Sequence, residues 1–498
     1  MVRSQRDDAQ RRIRRGLLHR ECPAGILRRM STGTMTQRAE ATTAKGVDGE
    51  APAVGVFGHY GDRNLGDEAI IDALIARIRR EWPGARVVAF SMDTADSAER
   101  YRVPAFPIRQ ESGTQRFGEV LDRQWAAGAT DRPVPEAAGV LDRVARLVPK
   151  GRVRSAAGKL TRGAAFVARE VAFLWRSYRR LHGLDALIIA GSNQFLDNFG
   201  GPWGFPYTLL KWSLLARLAG CRLLYVSVGA GPLDARLSQW MVRTAVRFAD
   251  YLSFRDAGSQ RLVAAAPRSG SSHVFPDLAH SLVRPAGAQR AGDRSKPTVG
   301  INPMPLYDSF YWYTTDTDRY ASYVRTLAAL AEYLVDRGYP VFFFPTQLKD
   351  LNVADEIVRA MRPECAGRLL QPEPVKRPHT VDELMRIIET ADIVVGTRFH
   401  GTLLSLHARR PVLAICYYRK TRDLMREMGQ EAYAIDFDDL TVSELVGRFH
   451  RLEERRLEAA AQIANVDDEY VDALENQYRA IFAMIRAPLR HRRVAAPA

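Results

Sequence analysis

Short apolar runs alternate along this chain with segments whose apolar positions recur at helical spacing. PAVGVFG, ARVVAFSM, LDALIIAG, CRLLYVSVG, YLSF and HVFP read as strands, and the periodic stretches 66–81, 206–219 and 236–249 read as helices. Over 284–296 the apolar pattern disappears, which predicts a linker, and then the alternation restarts. PTVGINP, PVFFFP, RLLQP, ADIVVG, PVLAICYY and AYAIDF form a second set of strands. Helices are expected over 317–337, 351–362, 380–390 and 401–408, with a long charged helix or helix pair over 440–486. Strands that are apolar at nearly every position are buried on both faces, as in parallel sheets covered by helices. The pattern predicts an α/β fold of two Rossmann-like domains facing across a cleft, 52–283 and 297–486, with disordered tails at 1–51 and 487–498. Ligands of such folds sit beyond the carboxyl ends of strands, so the loops that follow strands are where chemistry is expected.

Composition changes this picture little. At 498 residues the chain exceeds one ordinary core, and 46% apolar with 26% charged residues is a soluble globular balance. The cysteines at 22, 221, 365 and 416 have neither metal-site spacing nor the density of a disulfide framework, which points to a reducing compartment. The apolar run 213–230 is broken by Arg217 and Arg222, and no other stretch reaches membrane-spanning length. The Arg-rich start lacks a continuous apolar segment of a secretory signal. A cytoplasmic location is expected.

The net charge of +15 is unevenly placed. Residues 1–50 carry eleven Lys and Arg against six acids, and internal Met30 and Met35 suggest that the folded part begins near Pro52. A basic insertion at about 110–180 is irregular and rich in Pro, Gly and Ala over 110–160. It ends in GAAFVAREVAFLWRSYRRLH, an amphipathic helix with a cationic end, and 143–180 holds eleven Lys and Arg. That segment is expected either to cover the core as a solvated helix or to touch a membrane surface or anionic polymer. No nucleic-acid motif accompanies the charge, so nucleic acid is not an expected partner.

The polar clusters nearly all follow strands. In GHYGDRNLGDEA, His59, Asp62, Asn64 and Asp67 lie between a strand and a helix start, where orphan N–H groups and the helix dipole favour an anion. A turn with an N-cap accounts for Asp67 and Glu68, but not for His59, Asp62, Arg63 and Asn64 in one loop. The loop is neither a Walker A nor a GxGxxG sequence. In GAGPLD, Gly229 and Gly231 allow a close backbone approach. In SFRDAGS, Arg255 is placed to clamp a carboxylate or phosphate, or else to pair with Asp256. Gln347, with Lys349 and Asp350, follows FFFP. The most specific cluster is GTRFHGTLLSLHARRPVLAICYYRK. Arg398 and His400 precede a helix and Lys420 follows the next strand, a set suited to a small, highly charged anion and a proton transfer. His407 is expected to be a packing residue. No serine nucleophile elbow, HExxH or paired CxxC is present, so hydrolase and zinc readings lose support.

These segments resemble the polysaccharide pyruvyl transferases: GHYGDRNLGDEAI, GAGP, SFRDAGS, PDLAHSL and GTRFHGTLLSLHARRPVLAICYYRK occur in that family's order over roughly 52–430. AGSNQFLD stands where a glycine-richer loop is usual, and the 110–180 insertion is unusually long. The resemblance implies a glycosyltransferase-B-like fold that moves pyruvate from phosphoenolpyruvate onto two hydroxyls of a sugar as a ketal, releasing phosphate. It implies phosphoenolpyruvate as co-substrate, no further cofactor and no metal, and a sugar, glycolipid or polysaccharide acceptor at the inner membrane face. The family's Arg and Arg-x-His positions match Arg255, Arg398 and His400. On this reading Arg398, Arg255 and Lys420 hold the two anionic groups, and His400, as imidazolium, protonates the methylene carbon or the departing phosphate. Asp67, Asp62 or His59 takes the hydroxyl proton. Two rivals stand beside it. A nucleotide-sugar glycosyltransferase of the same fold has only Asp423 and Glu427 to offer a ribose, and a non-catalytic anionic-glycan-binding protein leaves the Arg-x-His set unexplained.

Overall fold

The computed structural model describes residues 51–58, 60, 64–110, 152–198, 200–268, 270–284, 296–308, 315–371 and 377–487. His59, Asp62, nearly all of both expected tails, most of the basic insertion and the linker lie outside the described residues.

The first half is built on strands β1 (Ala53–Phe57), β2 (Arg86–Ser91), β3 (Ala105–Pro107), β4 (Ala186–Ala190), β5 (Arg222–Val228), β6 (Tyr251–Phe254) and β7 (His273–Val274). They form one sheet in the order β3-β2-β1-β4-β5-β6-β7, parallel throughout. The second sheet has the order β12-β11-β10-β8-β9, from β8 (Val299–Asn302), β9 (Val341–Phe343), β10 (Ile393–Gly396), β11 (Val412–Cys416) and β12 (Ala434–Asp436). β1, β4, β8, β10 and β11 are buried along their whole length, which is why they read as unbroken apolar runs. Strand order reverses between β1 and β4 in the first sheet and between β8 and β10 in the second. These are the two Rossmann-like switch points, where a crevice opens at the carboxyl ends.

Helix α1 (Leu65–Glu81) follows β1 and starts at Asn64, whose side chain caps the Gly66 N–H. Asp67 and Glu68 in its first turn and Arg79 and Arg80 in its last match the dipole. Helix α2 (Thr94–Tyr101), capped by Asp93, was not legible as a periodic segment; only Ser97 and Tyr101 are buried in it. Helix α3 (Arg152–Leu181) begins well inside the stretch expected to be irregular. Of RLLQP, the described residues 368–371 form no strand; Leu370 donates one bond to the Val341 carbonyl at 2.7 Å. Helices α4 (Phe205–Leu218), α5 (Arg236–Arg247) and α6 (Ala257–Val263) complete the first half. The second half adds α7 (Thr317–Asp336), α8 (Leu348–Ala360), α9 (Val381–Glu389), α10 (Phe399–His407), α11 (Arg419–Glu427) and α12 (Val442–Glu454).

The expected C-terminal helical segment is a pair, and its second member, α13 (Arg456–Arg486), returns to the first half. Gln477 bonds Ser253 at 2.5 Å and Ser227 at 3.1 Å, and Phe482 packs on Trp82. Buried Asp467 on the same helix meets His280 and His407 at 2.9 Å each and also Arg284. His407 is therefore a buried polar tie between the halves, as its packing role required, with its other ring nitrogen on the Leu282 carbonyl at 3.1 Å. Apolar side chains of β1, α1, α9, α10 and α13 merge into one layer between the sheets, so the halves close directly on each other. Separate clusters cover the outer faces of the two sheets. Among the described residues no helix is long and apolar enough to cross a membrane.

Candidate active site

The two switch points meet at the start of α1. The Leu65 N–H donates to the Thr346 carbonyl at 3.0 Å, and Asn64 bridges to Gln347 across the halves. The His400 ring lies against Gly66; a Cβ there would come within 2.4–2.5 Å of His400 Cβ, Cγ and Nδ1. The glycine in NLGDEA thus exists to admit a side chain from the opposite half. This corrects the expectation that the N–H groups of this helix start face an anion, because the Leu65 N–H is taken by Thr346 and that of Gly66 by Asn64, at 3.2 Å. Asn64 is likewise a cap and an orienting group: its amide donates to Asp67 Oδ2 at 2.5 Å.

Arg255 leaves the end of β6 and is buried. It reaches Asp277 at 3.4 Å and Asn193 at 3.3 Å, and its guanidinium lies 4.7 Å from the centre of the Phe399 ring. Asp256, its sequence neighbour, stands 3.7 Å away and spends its carboxylate on capping α6. Gly229 and Gly231 leave room for neighbouring side chains. The volume over Gly229 is occupied by the Arg255 guanidinium, and that over Gly231 by the Asn193 amide.

Arg398 follows β10 and forms a buried ion pair with Asp350, Nε to the two carboxylate oxygens at 2.6 and 2.7 Å. Asp350 also accepts from the Thr346 and Gln347 N–H groups, both at 2.9 Å. Gln347 is the N-cap of α8, its side chain accepting from the Asp350 N–H in a capping box, and it bridges to Asn64. Lys420, in the first turn of α11, lies 4.9 Å from the Phe399 ring centre, so one aromatic ring serves two cations. Arg255, Asp277, Phe399 and Lys420 line a small common cavity. A larger hollow over Arg319, Tyr323 and Phe437 contains none of these charged groups.

The electrostatics follow from this crowding. Burial pushes the His400 imidazole down to about 3; Asp277 resists, while Arg255, Lys420 and Arg398 reinforce the shift. His400 Nε2 is shielded from solvent and has no hydrogen-bond partner among the described residues. The ring is thus neutral in the unliganded site rather than a standing imidazolium: burial disfavours the proton, and the basic neighbours reinforce it. Burial raises Asp67 to about 7 against the pull of Lys420 and Arg255. Burial and Arg255 lower Lys420 to about 7, opposed by Asp67 and Asp277. Asp67 and Lys420 therefore titrate as a coupled pair near neutrality. Arg255 is held by long contacts to Asp277 and Asn193, and with Lys420 on the same aromatic ring it can turn to the anionic groups of a ligand.

The sequence brought together Arg255, Arg398, His400, Lys420 and Asp67. It did not single out Asp277, Asn193 or Phe399, although PDLAHSL, AGSNQFLD and the middle position of RFH contained them. For the glycosyltransferase rival, Asp423 is engaged by Arg419 at 3.1 Å and Arg426 at 2.9 Å, and Glu427 by Tyr470 at 3.2 Å.

A family model described as polysaccharide pyruvyl transferase matches residues 64–418. Among solved structures, the UDP co-structure of Staphylococcus aureus MnaA is similar at 10% identity over 88% of this chain and 98% of its own, with a TM-score of 0.49. The UDP-GlcNAc 2-epimerase of Neisseria meningitidis bound to UDP-GlcNAc is similar at 9% identity over 87% and 98%, TM-score 0.47. The Escherichia coli ADP-heptose LPS heptosyltransferase II is similar at 13% identity over 80% and 98%, TM-score 0.37.

Proposed function

The chain belongs to the polysaccharide pyruvyl transferase family, and from that premise we propose that it transfers pyruvate from phosphoenolpyruvate onto two hydroxyls of one sugar, forming a ketal and releasing phosphate. The observation that carries the reading is the convergence of Arg255, Lys420 and Arg398 on His400, whose Nε2 meets no hydrogen-bond partner among the described residues, beside Asp67. Phosphoenolpyruvate brings a carboxylate and a phosphate, two groups suited to Arg255 and Lys420, which line one cavity.

In this scheme Arg255 and Lys420 hold the donor, and Arg398, braced by Asp350, completes the binding of its anionic groups. The arriving negative charge raises His400, so that the imidazole takes up a proton with the substrate and passes it to the methylene carbon. Asp67, near pH 7 in its titration, has the basicity suited to accept the proton of the first hydroxyl as its oxygen bonds to C2. The second hydroxyl then displaces phosphate at the same carbon and closes the ring. Two hydroxyl protons are released: one ends in the new methyl group and the other leaves with phosphate, so the reaction balances without an outside acid. The fixed cations supply the charge stabilisation.

The acceptor is a sugar of a polysaccharide or its lipid-linked precursor on the cytoplasmic side. The test uses phosphoenolpyruvate labelled with carbon-13 at the methylene position and a panel of cell-envelope saccharides. The label should appear as a methyl group on a quaternary ketal carbon of the saccharide, with one phosphate released per ketal. Label found only in free pyruvate or unchanged donor across the panel would overturn the proposal.

A further inference from the structure

Three helices lie side by side on the outer face of the first sheet. Phe173 and Leu181 of α3, Leu209, Trp212 and Leu215 of α4, and Val242, Ala245 and Val246 of α5 bury the same core. Their opposite sides are unusually apolar. On α3, Val167, Val171 and Trp175 stand at successive four-residue steps and are 59%, 59% and 60% exposed. Leu214 and Leu218 project from α4, and Leu237 and Trp240 from α5. Trp203, in the short turn leading into α4, is 69% exposed and touches Tyr207 edge-on. Large aromatics are not left in water without cause when they line up on neighbouring helices.

The charge on this face has one sign. Arg169, Arg176 and Arg179 of α3 and Arg236 and Arg247 of α5 are exposed. From residue 167 of α3 through α4 and α5 the helices carry a single acid, Glu170, and it is engaged by Lys211 at 2.9 Å. Apolar side chains with Trp among them, rimmed by arginines and nearly free of acids, match the boundary of an anionic bilayer. A protein partner would be met by a mixed-charge rim, whereas the described part of these three helices offers only the engaged Glu170.

We propose that the outer face of α3, α4 and α5 docks the protein on an anionic lipid bilayer, with Trp175, Trp203 and Trp240 at the level of the headgroups. Trp203 and Trp240 follow the carboxyl ends of β4 and β5, the edge where the active-site loops lie. Docking there holds that edge close to the surface from which a lipid-carried acceptor emerges. The proposal is independent of the transfer chemistry.

The test is co-sedimentation of the full-length protein with vesicles of phosphatidylglycerol and phosphatidylcholine, against phosphatidylcholine alone. Two variants are compared, Trp175→Ser/Trp203→Ser/Trp240→Ser and Arg169→Glu/Arg176→Glu/Arg179→Glu. Wild type should bind the anionic vesicles, less so as salt rises. Each arginine near the surface contributes about fivefold to partitioning, so the charge reversal should weaken it by at least roughly a hundredfold. The tryptophan variant should weaken it without a change in melting temperature. Equal binding to neutral vesicles, or undiminished binding by both variants, which would assign the affinity to other basic segments, would overturn the proposal. So would a stable dimer in which these tryptophans are buried.

Discussion

Gly229→Ala is the sharpest test of how the site is held. The backbone at Gly229 has a negative φ, so alanine meets no conformational penalty. Its Cβ, however, would lie 2.6 Å from Cζ and Nε of Arg255 and 2.7 Å from Nη2. Carbon contacts settle near 3.5–4.0 Å, so the guanidinium must retreat by about 1 Å. It cannot do so freely, since Asp277 at 3.4 Å, Asn193 at 3.3 Å and the Phe399 ring fix it on the other sides. A misplacement of that size at a substrate-holding group costs about a hundredfold in kcat/KM, or roughly 2.7 kcal/mol of transition-state stabilisation. The accompanying loss of stability, an overpacking effect, is about 1–3 kcal/mol. Phosphate release as a function of phosphoenolpyruvate concentration measures the first, and a denaturant melt the second. Gly447→Ala is the control: it sits in α12, where the new Cβ meets nothing closer than the Arg451 tip at 3.8 Å. It should keep full activity and gain about 0.5–1 kcal/mol of stability. A Gly229→Ala enzyme with wild-type kcat/KM would refute the assignment of Arg255 to the donor.

Three further outcomes follow from the same geometry. The profile of kcat/KM against pH should be a bell centred near 7, rising as Asp67 loses its proton and falling as Lys420 loses its own. Because the Asp67 carboxylate holds Lys420 up, Asp67→Asn should move the alkaline limb to lower pH; an unmoved limb would contradict the coupling. Asp350→Asn leaves Arg398 as an uncompensated buried charge and strips an acceptor from Thr346 and Gln347. A chemical melt should show a loss of about 3–5 kcal/mol, and a loss below about 1 kcal/mol would deny the pair its role. Asp467→Asn should cost a similar roughly 3–5 kcal/mol at neutral pH. The wild-type carboxyl is held far below its ordinary value, chiefly by hydrogen bonds from His280 and His407 that outweigh burial. Its contribution is complete above the unfolded carboxyl pKa of about 4 and fades as the pH falls below it. The variant should therefore show a shallower acid decline of stability, and an identical decline would exclude Asp467 as its source.

What could be read along the chain is what local chemistry determines. Strands such as ALIIA and VLAIC are buried on both faces, so their apolar runs announce them. The loops after them carry Arg255, Arg398, His400 and Lys420, each visible as a charge where a strand ends. RLLQP is as apolar as a short strand, but its described residues 368–371 make a single bond to β9, from Leu370, and no strand, an outcome decided by tertiary pairing. The glycines of GAGP signalled a close approach, yet only the fold reveals that the approaching groups are Arg255 and Asn193. Asp277 and Asn193 answer to Arg255 from 22 and 62 residues away. His400 read as a charged acid because the sequence shows its basic neighbours but not its burial, which is the larger cause of its lowered pKa.

The central claim is that this site takes phosphoenolpyruvate. Thermal unfolding of the wild type with phosphoenolpyruvate, and separately with uridine diphosphate, tests it most directly. Phosphoenolpyruvate at about 100 times its dissociation constant should stabilise the protein by roughly 2.7 kcal/mol, and Arg255→Ala and Lys420→Ala should lose most of that gain. Stabilisation by the nucleotide and none by phosphoenolpyruvate would contradict the account.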